Sequence, residues 1–322
     1  MNRRKITVAV PTHNRASMLL ATLESVAAAA PAPGYALECL VVDNGSTDDT
    51  ATAVQRFAKR APMVVRYVFE PRPGSSFARN RAALEAQGDP IFFIDDDVTV
   101  APNWAVELAR ALEERRLDGA CGLVVPRWLV ARPPWLGPLL YPKLAVHDES
   151  AIAGAPAGRT DKLDNYFSAN VGLRRGVFAR FGFFREDLGV VAGNPMSGED
   201  TEFFERIIAR GGAFGFAPLA RVVHAIPAER MTIRYLRHKA FAFGMGSAMR
   251  GGRTHNRLDK LVRNAARMTL ATARGNREAE IYHQLECANF FGYWWGRLLR
   301  LKAATAAGRS GAGAPTAGPR PA

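Results

Sequence analysis

A chain of 322 residues that is 48% hydrophobic can bury one large α/β domain or one domain with an extension, which excludes general disorder. Its three cysteines, Cys39, Cys121 and Cys287, form no CxxC pair, so neither a disulfide framework nor a zinc site is expected and a reducing cytoplasm fits best. The net charge of +13 sits at one end: residues 229–322 hold 17 Lys and Arg against 5 Asp and Glu, whereas residues 1–228 hold 26 against 25.

That balance describes a neutral body with a basic tail and argues against nucleic acid as a partner. The apolar run after Lys5 covers only Ile6–Val10 and stops at Pro11, so no secretory signal is expected. The longest apolar candidate, Cys287–Gly296, is about half of the roughly 20 residues a membrane span needs.

Along the chain, Ile6–Val10, Leu37–Val42, Val64–Phe69 and Ile91–Ile94 are short β-branched or aromatic runs. Ala-rich helical stretches, Arg15–Ala29, Asp48–Lys59 and Ser75–Gln87, lie between them. This alternation predicts a mostly parallel sheet with helices on both faces, whose ligands collect beyond the C-terminal strand ends. Pro11-Thr12-His13-Asn14, Asp43-Asn44-Gly45-Ser46 and Asp95-Asp96-Asp97 each follow a strand, so three polar clusters should meet on one rim.

Farther on, Arg127–Asp161 is rich in Pro, Gly and Trp and reads as a long functional loop. A strand is expected from Tyr166, then a segment Arg174–Phe181, then a helix opened by Ser197-Gly198-Glu199-Asp200 and running to Arg210. Two short strands, Ala213–Phe216 and Val222–His224, should close the sheet. The expected division is a catalytic domain over 1–226, with a donor half to about 100 and an acceptor half after it. A basic helical extension over 227–305 and a disordered tail over 306–322 follow.

Three consecutive carboxylates at a strand end repel one another unless a cation neutralises them. Asp95 and Asp97 can face the same way on an extended chain, and two hard oxygen ligands suit Mg²⁺ or Mn²⁺. Asp200, in the first turn of its helix, is a candidate general base for an incoming hydroxyl. Arg72, Arg79 and Arg81 flank Pro73-Gly74-Ser75-Ser76 at a helix start, where phosphate binds well, although no Walker A or GxGxxG motif occurs. His224 is a candidate third metal ligand.

Taken together the motifs resemble a known family. Ala9-Val10-Pro11-Thr12-His13-Asn14-Arg15, Val41-Val42-Asp43-Asn44-Gly45-Ser46-Thr47-Asp48, Phe77-Ala78-Arg79-Asn80, Phe93-Ile94-Asp95-Asp96-Asp97 and Gly198-Glu199-Asp200-Thr201 follow the order seen in family 2 glycosyltransferases. Glu70–Gly74 and Asp95–Trp104 resemble the branch that builds exopolysaccharides of the succinoglycan type. The resemblance implies a GT-A fold and an inverting transfer from a nucleotide sugar, a UDP-sugar first among them, to a saccharide or polyprenyl-linked saccharide. It also implies a divalent cation, Mn²⁺ or Mg²⁺.

It assigns roles as well. Pro11, Thr12, Arg15, Asp43, Arg79, Asp95 and Asp96 would form the donor-nucleotide site, with Thr12 and Asp43 at the base and Arg79 at the base or diphosphate. Asp97 would bind the metal with His224 and Asp95, the last shared with the ribose. Asp200 would be the base and Glu199 would position it or the acceptor. Asn170 and Trp104 would lie on the acceptor side, although Ser168-Ala169 stands where the family often has a glycine pair.

In the basic tail, Arg230, Arg234 and Arg237 recur at helical spacing beside an apolar stripe, and Phe290–Trp295 is followed by Arg297, Arg300 and Lys302. Aromatic residues beside cations suit the surface of an anionic bilayer, so peripheral attachment to the inner face of the cell membrane is expected. The competing activity is a phosphohydrolase of the haloacid dehalogenase type, using Asp95-x-Asp97 with Asp95 attacking phosphate.

Overall fold

Apolar runs bounded by polar clusters become strands, and the Ala-rich stretches between them become helices. The computed structural model describes residues 3–152, 158–159, 166–189, 197–251 and 258–310. Its first hundred residues give β1 (Arg4–Thr12), α1 (Ala16–Ala28), β2 (Tyr35–Asp43), α2 (Thr50–Ala58), β3 (Val64–Phe69), α3 (Ser75–Glu85) and β4 (Ile91–Ile94). All four residues of β4 are buried, as a strand covered on both faces must be.

The second half continues with β5 (Val98–Val100), α4 (Trp104–Glu114), β6 (Gly119–Trp128), α5 (Glu149–Ile152), β7 (Gly158–Arg159), β8 (Asn170–Leu173), α6 (Gly176–Phe181), α7 (Glu199–Ala209) and β9 (Phe214–Ile226). Helices α8 (Ile233–Met249), α9 (Leu258–Ala273) and α10 (Arg277–Ser310) follow. The strands form one sheet in the order β3-β2-β1-β4-β8-β6-β9-β5, with β7 on β9. Its first four strands are parallel, as expected. The rest is mixed, because β8 enters antiparallel between β4 and β6 and β5 lies antiparallel on β9.

Where two closing strands are expected there is one, β9. It crosses Pro218 because its register against β6 shifts between Gly122 and Leu123, which absorbs the irregular residues. The stretch expected as a loop after Arg127 is partly anchored. It contains a 3-10 turn, Pro138–Leu144, and Leu136, Leu140, Leu144 and Val146 are buried in the main core. Residues 153–157 and 160–161 of that stretch, and the tail after 310, lie outside the described residues.

The extension packs tightly on the body. A methyl group on Gly244 would overlap the carbonyl of Asn289, and one on Gly246 would overlap the carbonyl of Ser197, so α8 touches both α10 and the turn before α7. No described helix is long and apolar enough to cross a membrane. Farther along the extension, Phe291, Trp294, Trp295 and Leu298 of α10 and Leu258 and Val262 of α9 are exposed.

Candidate active site

Because β1, β2 and β4 point the same way, with Thr12 level with Asp43, the polar residues after them emerge on one edge. Thr12 Oγ1 donates to Asp96 Oδ2 at 2.7 Å, and Arg15 Nη1 donates to Asp96 Oδ1 at 3.0 Å and to Asp97 Oδ2 at 2.9 Å. The Thr22 hydroxyl lies 3.0 Å from the Asp96 carbonyl and 2.6 Å from that of Val98, holding the turn on α1. Asp96 is buried among these groups, and burial pushes its carboxyl up to about 6 against the pull of Arg15. The structure therefore places Asp96 inward, where it shapes the turn that carries Asp95 and Asp97.

Asp43 is also buried, accepting from the Tyr67 hydroxyl at 2.7 Å and from the Ser46 N–H at 2.8 Å. Asn44 links its loop to the start of α3: its side chain donates to the Glu70 and Arg72 carbonyls and accepts from the Gly74 N–H at 2.7 Å. Pro11 is half-buried beside Val42.

A cavity of about 540 Å³ opens beside this rim. One wall carries Arg79, Asp95, Glu199, Asp200, His224 and Arg230. Lys143 and Leu144 of the 3-10 turn and Tyr235, Lys239 and Phe243 of α8 also line the cavity, so the extension contributes directly to it. The buried Arg79 guanidinium donates to Glu199 Oε1 at 2.7 Å and lies 3.4 Å from Asp95 Oδ1. Ser75 donates to the same Glu199 oxygen at 2.8 Å, tying α3 to α7.

Gly198 begins α7 with φ 105, and a side chain there would run into the Arg250 guanidinium. Arg250 Nη1 donates to the Gly198 carbonyl at 3.2 Å, so the end of α8 holds the turn that presents Glu199 and Asp200. Asp200 is half-buried at the cavity wall. Its Oδ1 accepts from the Thr201 N–H at 2.7 Å, and its Oδ2 lies 3.2 Å from the Ser168 hydroxyl. Burial, then the negative Glu199 beside it, raises the Asp200 carboxyl above its usual range. Burial would raise Glu199, but the charge of Arg79 and the hydrogen bonds from a backbone N–H, Ser75 and Arg79 together hold it below its usual range.

Asp97 and His224 meet where β5 pairs with β9, each with a side chain only 3% exposed, and Nε2 lies 3.2 Å from Asp97 Oδ1. Burial would raise the Asp97 carboxyl, but His224, Arg230 and Arg15 hold it well below the carboxylate range. Asp97 Oδ1 and His224 Nδ1 are buried with no hydrogen-bond partner among the described residues. A carboxylate beside an imidazole is a donor set that Mn²⁺ accepts, so the pair fits a divalent cation. Among the described residues no group of three or more His, Cys, Asp and Glu side chains gathers, since Asp95 turns to Arg79. The chain thus brings together two of the three expected ligands.

Asn170 and Trp104 are corrected by their burial, 0% exposure each. Trp104 Nε1 donates to Asn170 Oδ1 at 2.8 Å, and Asn170 Nδ2 donates to the Leu123 and Ala220 carbonyls at 3.1 and 2.7 Å. This network joins α4, β6, β8 and β9 and offers no surface to an acceptor. Sequence reasoning missed Arg230 and Arg250, reading the former as one of a helical row of cations. The turn-forming Pro227, between His224 and Arg230, is the signal that separates it from that row.

Comparison with known proteins agrees with this geometry. The family model described as glycosyl transferase family 2 matches residues 7–180. The chain is 28% identical over 257 residues to the succinoglycan biosynthesis protein ExoM of Rhizobium meliloti, spanning 79% of this chain and 74% of that one. It is 27% identical over 241 residues to a glucosyl-dolichyl phosphate glucuronosyltransferase of Haloferax volcanii, with 74% of each chain covered. Its fold is similar to that of the mannosyltransferase PcManGT from Pyrobaculum calidifontis in complex with GDP-Man and Mn²⁺. That likeness has a TM-score of 0.56 at 21% identity and covers 95% of this chain and 76% of that one. Nothing in the family match supports a phosphohydrolase: the chain belongs to glycosyl transferase family 2 and is a glycosyltransferase of GT-A fold.

Proposed function

We propose that the chain is an inverting transferase that moves a sugar from a nucleoside-diphosphate donor to a hydroxyl of a saccharide or lipid-linked saccharide in exopolysaccharide or other cell-surface glycan synthesis. The observation that carries this reading is the half-buried Asp200 on the wall of a cavity that also holds Arg79, His224 and Arg230. In one displacement the acceptor oxygen bonds to the anomeric carbon while the bond from that carbon to the diphosphate oxygen breaks. Asp200 takes the acceptor proton, and the electron pair departs with the diphosphate.

Glu199, neutralised by Arg79, keeps Asp200 basic without competing for the proton, and Arg79 faces the charge that grows on the leaving group. Thr12 and Asp43, with Pro11 and Arg15, would take the nucleotide, and Asp95, which turns to Arg79, would take the ribose. Asp97 and His224 would hold Mn²⁺ or Mg²⁺, which supplies further charge for the diphosphate when bound. The relatives' succinoglycan and dolichyl phosphate chemistry favours a lipid-linked acceptor, and UDP-sugars are the first donors to test. The exposed aromatic and apolar face of α9 and α10, with Arg297 and Arg300 beside it, supports attachment to the inner face of an anionic membrane.

The test is a panel of UDP-, GDP- and dTDP-sugars with Mn²⁺, a membrane acceptor fraction and proton NMR of the linkage formed. Transfer with inversion at the anomeric carbon is expected. Retention, or turnover of no donor, would reject the mechanism.

A further inference from the structure

Arg230 occupies an unusual place for a surface cation. It ends the 3-10 turn Ala228–Arg230 between β9 and α8, and its side chain is only 18% exposed. Nη2 donates to Asp97 Oδ2 at 2.9 Å, and Nη1 lies 2.9 Å from His224 Nε2. Arginine has no acceptor, so in the tautomer with its proton on Nδ1 the Nε2 lone pair is claimed by Arg230 and by a cation alike. One guanidinium therefore engages the two side chains that fit a divalent ion, while Arg15 donates to the same Asp97 oxygen, Oδ2.

A divalent cation between Asp97 and His224 would meet a fixed positive charge at hydrogen-bond distance from both of its ligands. The two cannot share Nε2, whereas Asp97 Oδ1 takes no bond from Arg230. Arg230 also lines the cavity beside Arg79, so its guanidinium has an anion to turn to once a diphosphate is present. We propose that Arg230 is an exchangeable counter-ion. Without donor it holds Asp97 and His224; with donor it releases them to the cation and pairs with the diphosphate. This rests on the reading that Asp97 and His224 hold the metal.

The exchange has two consequences that point in opposite directions. Before donor arrives, Arg230 opposes the bare ion, so cation and nucleotide load together. After donor arrives, it favours the loaded state by adding a guanidinium to the phosphates. The turn that carries it leads straight into α8, whose Tyr235, Lys239 and Phe243 line the same cavity, so Arg230 links the Asp97–His224 pair to α8.

Binding of Mn²⁺ alone, followed by the electron paramagnetic resonance of the free ion, tests this on the full chain. Without nucleotide, Arg230→Gln should bind Mn²⁺ about tenfold more tightly than the native protein, with Arg230→Lys between them. With UDP or GDP present, Arg230→Gln should instead bind the nucleotide and Mn²⁺ about tenfold more weakly. Equal or weaker binding of bare Mn²⁺ by Arg230→Gln, in protein that melts as the native chain does, overturns the exchange. Asp97→Ala separates the two readings: native Mn²⁺ affinity in that variant overturns the metal site itself, and with it this proposal.

Discussion

Replacing Asn170 by Ala is the sharpest test of whether that residue is a structural joint or an acceptor contact. The substitution leaves Trp104 Nε1 and the Leu123 and Ala220 carbonyls without partners in a region of no exposure. A buried group left unpaired costs about 1–3 kcal/mol, and three in one network add incompletely, giving about 3–6 kcal/mol. At about 1.5 °C per kcal/mol, from about 2.1 cal/mol/K of unfolding entropy per residue over 322 residues, the melting temperature should fall by about 4–9 °C. Trp104→Phe removes one donor and leaves only Asn170 Oδ1 short, so its drop should be the smaller. Thermal melts of native protein and both variants decide the matter. An Asn170→Ala protein that melts within about 2 °C of native yet shows a raised acceptor KM would refute the structural assignment.

Transfer should lose rate on the acid side as Asp200 is protonated. Because burial and Glu199 raise that carboxyl, the limb should lie above pH 3.8. Glu199→Gln removes the negative neighbour and should move the limb to lower pH, which a kcat/KM profile for both proteins would read; an unmoved limb would count against the pair. Gly246→Ala should push α8 off the Ser197 carbonyl, destabilising the fold by about 1–3 kcal/mol and lowering kcat while nucleotide affinity holds. A native kcat in that variant would show that the turn before α7 does not depend on α8. Trp294→Ala with Trp295→Ala should abolish flotation with phosphatidylglycerol vesicles while leaving transfer to a soluble acceptor intact; unchanged flotation would remove the membrane surface.

The first hundred residues were readable because each strand there is a short apolar run closed by a polar cluster. Val64–Phe69 and Ile91–Ile94 coincide with β3 and β4, and the rim at Thr12, Asp43 and Asp97 follows from parallel strands alone. The second half was less so. β8 is four residues long and enters the sheet against the prevailing direction, a consequence of tertiary pairing that no local pattern announces. The family resemblance puts Asn170 on an acceptor-side strand, and nothing local reveals that Trp104, 66 residues away, donates to it.

Cations were hardest to place. Arg230, Arg234 and Arg237 share a spacing, yet the short turn after Pro227 sends only the first of them to Asp97. The glycines of α8 likewise carried no chemical signal, although they let it approach the Asp200 turn.

The central claim is that Asp200 removes the acceptor proton after donor has bound. Single-turnover transfer by Asp200→Asn, beside calorimetric binding of the donor nucleotide with Mn²⁺, tests it directly. The account predicts nucleotide affinity within about twofold of native and transfer slowed by about 10²–10⁴. Transfer at the native rate in protein that binds nucleotide normally would contradict it.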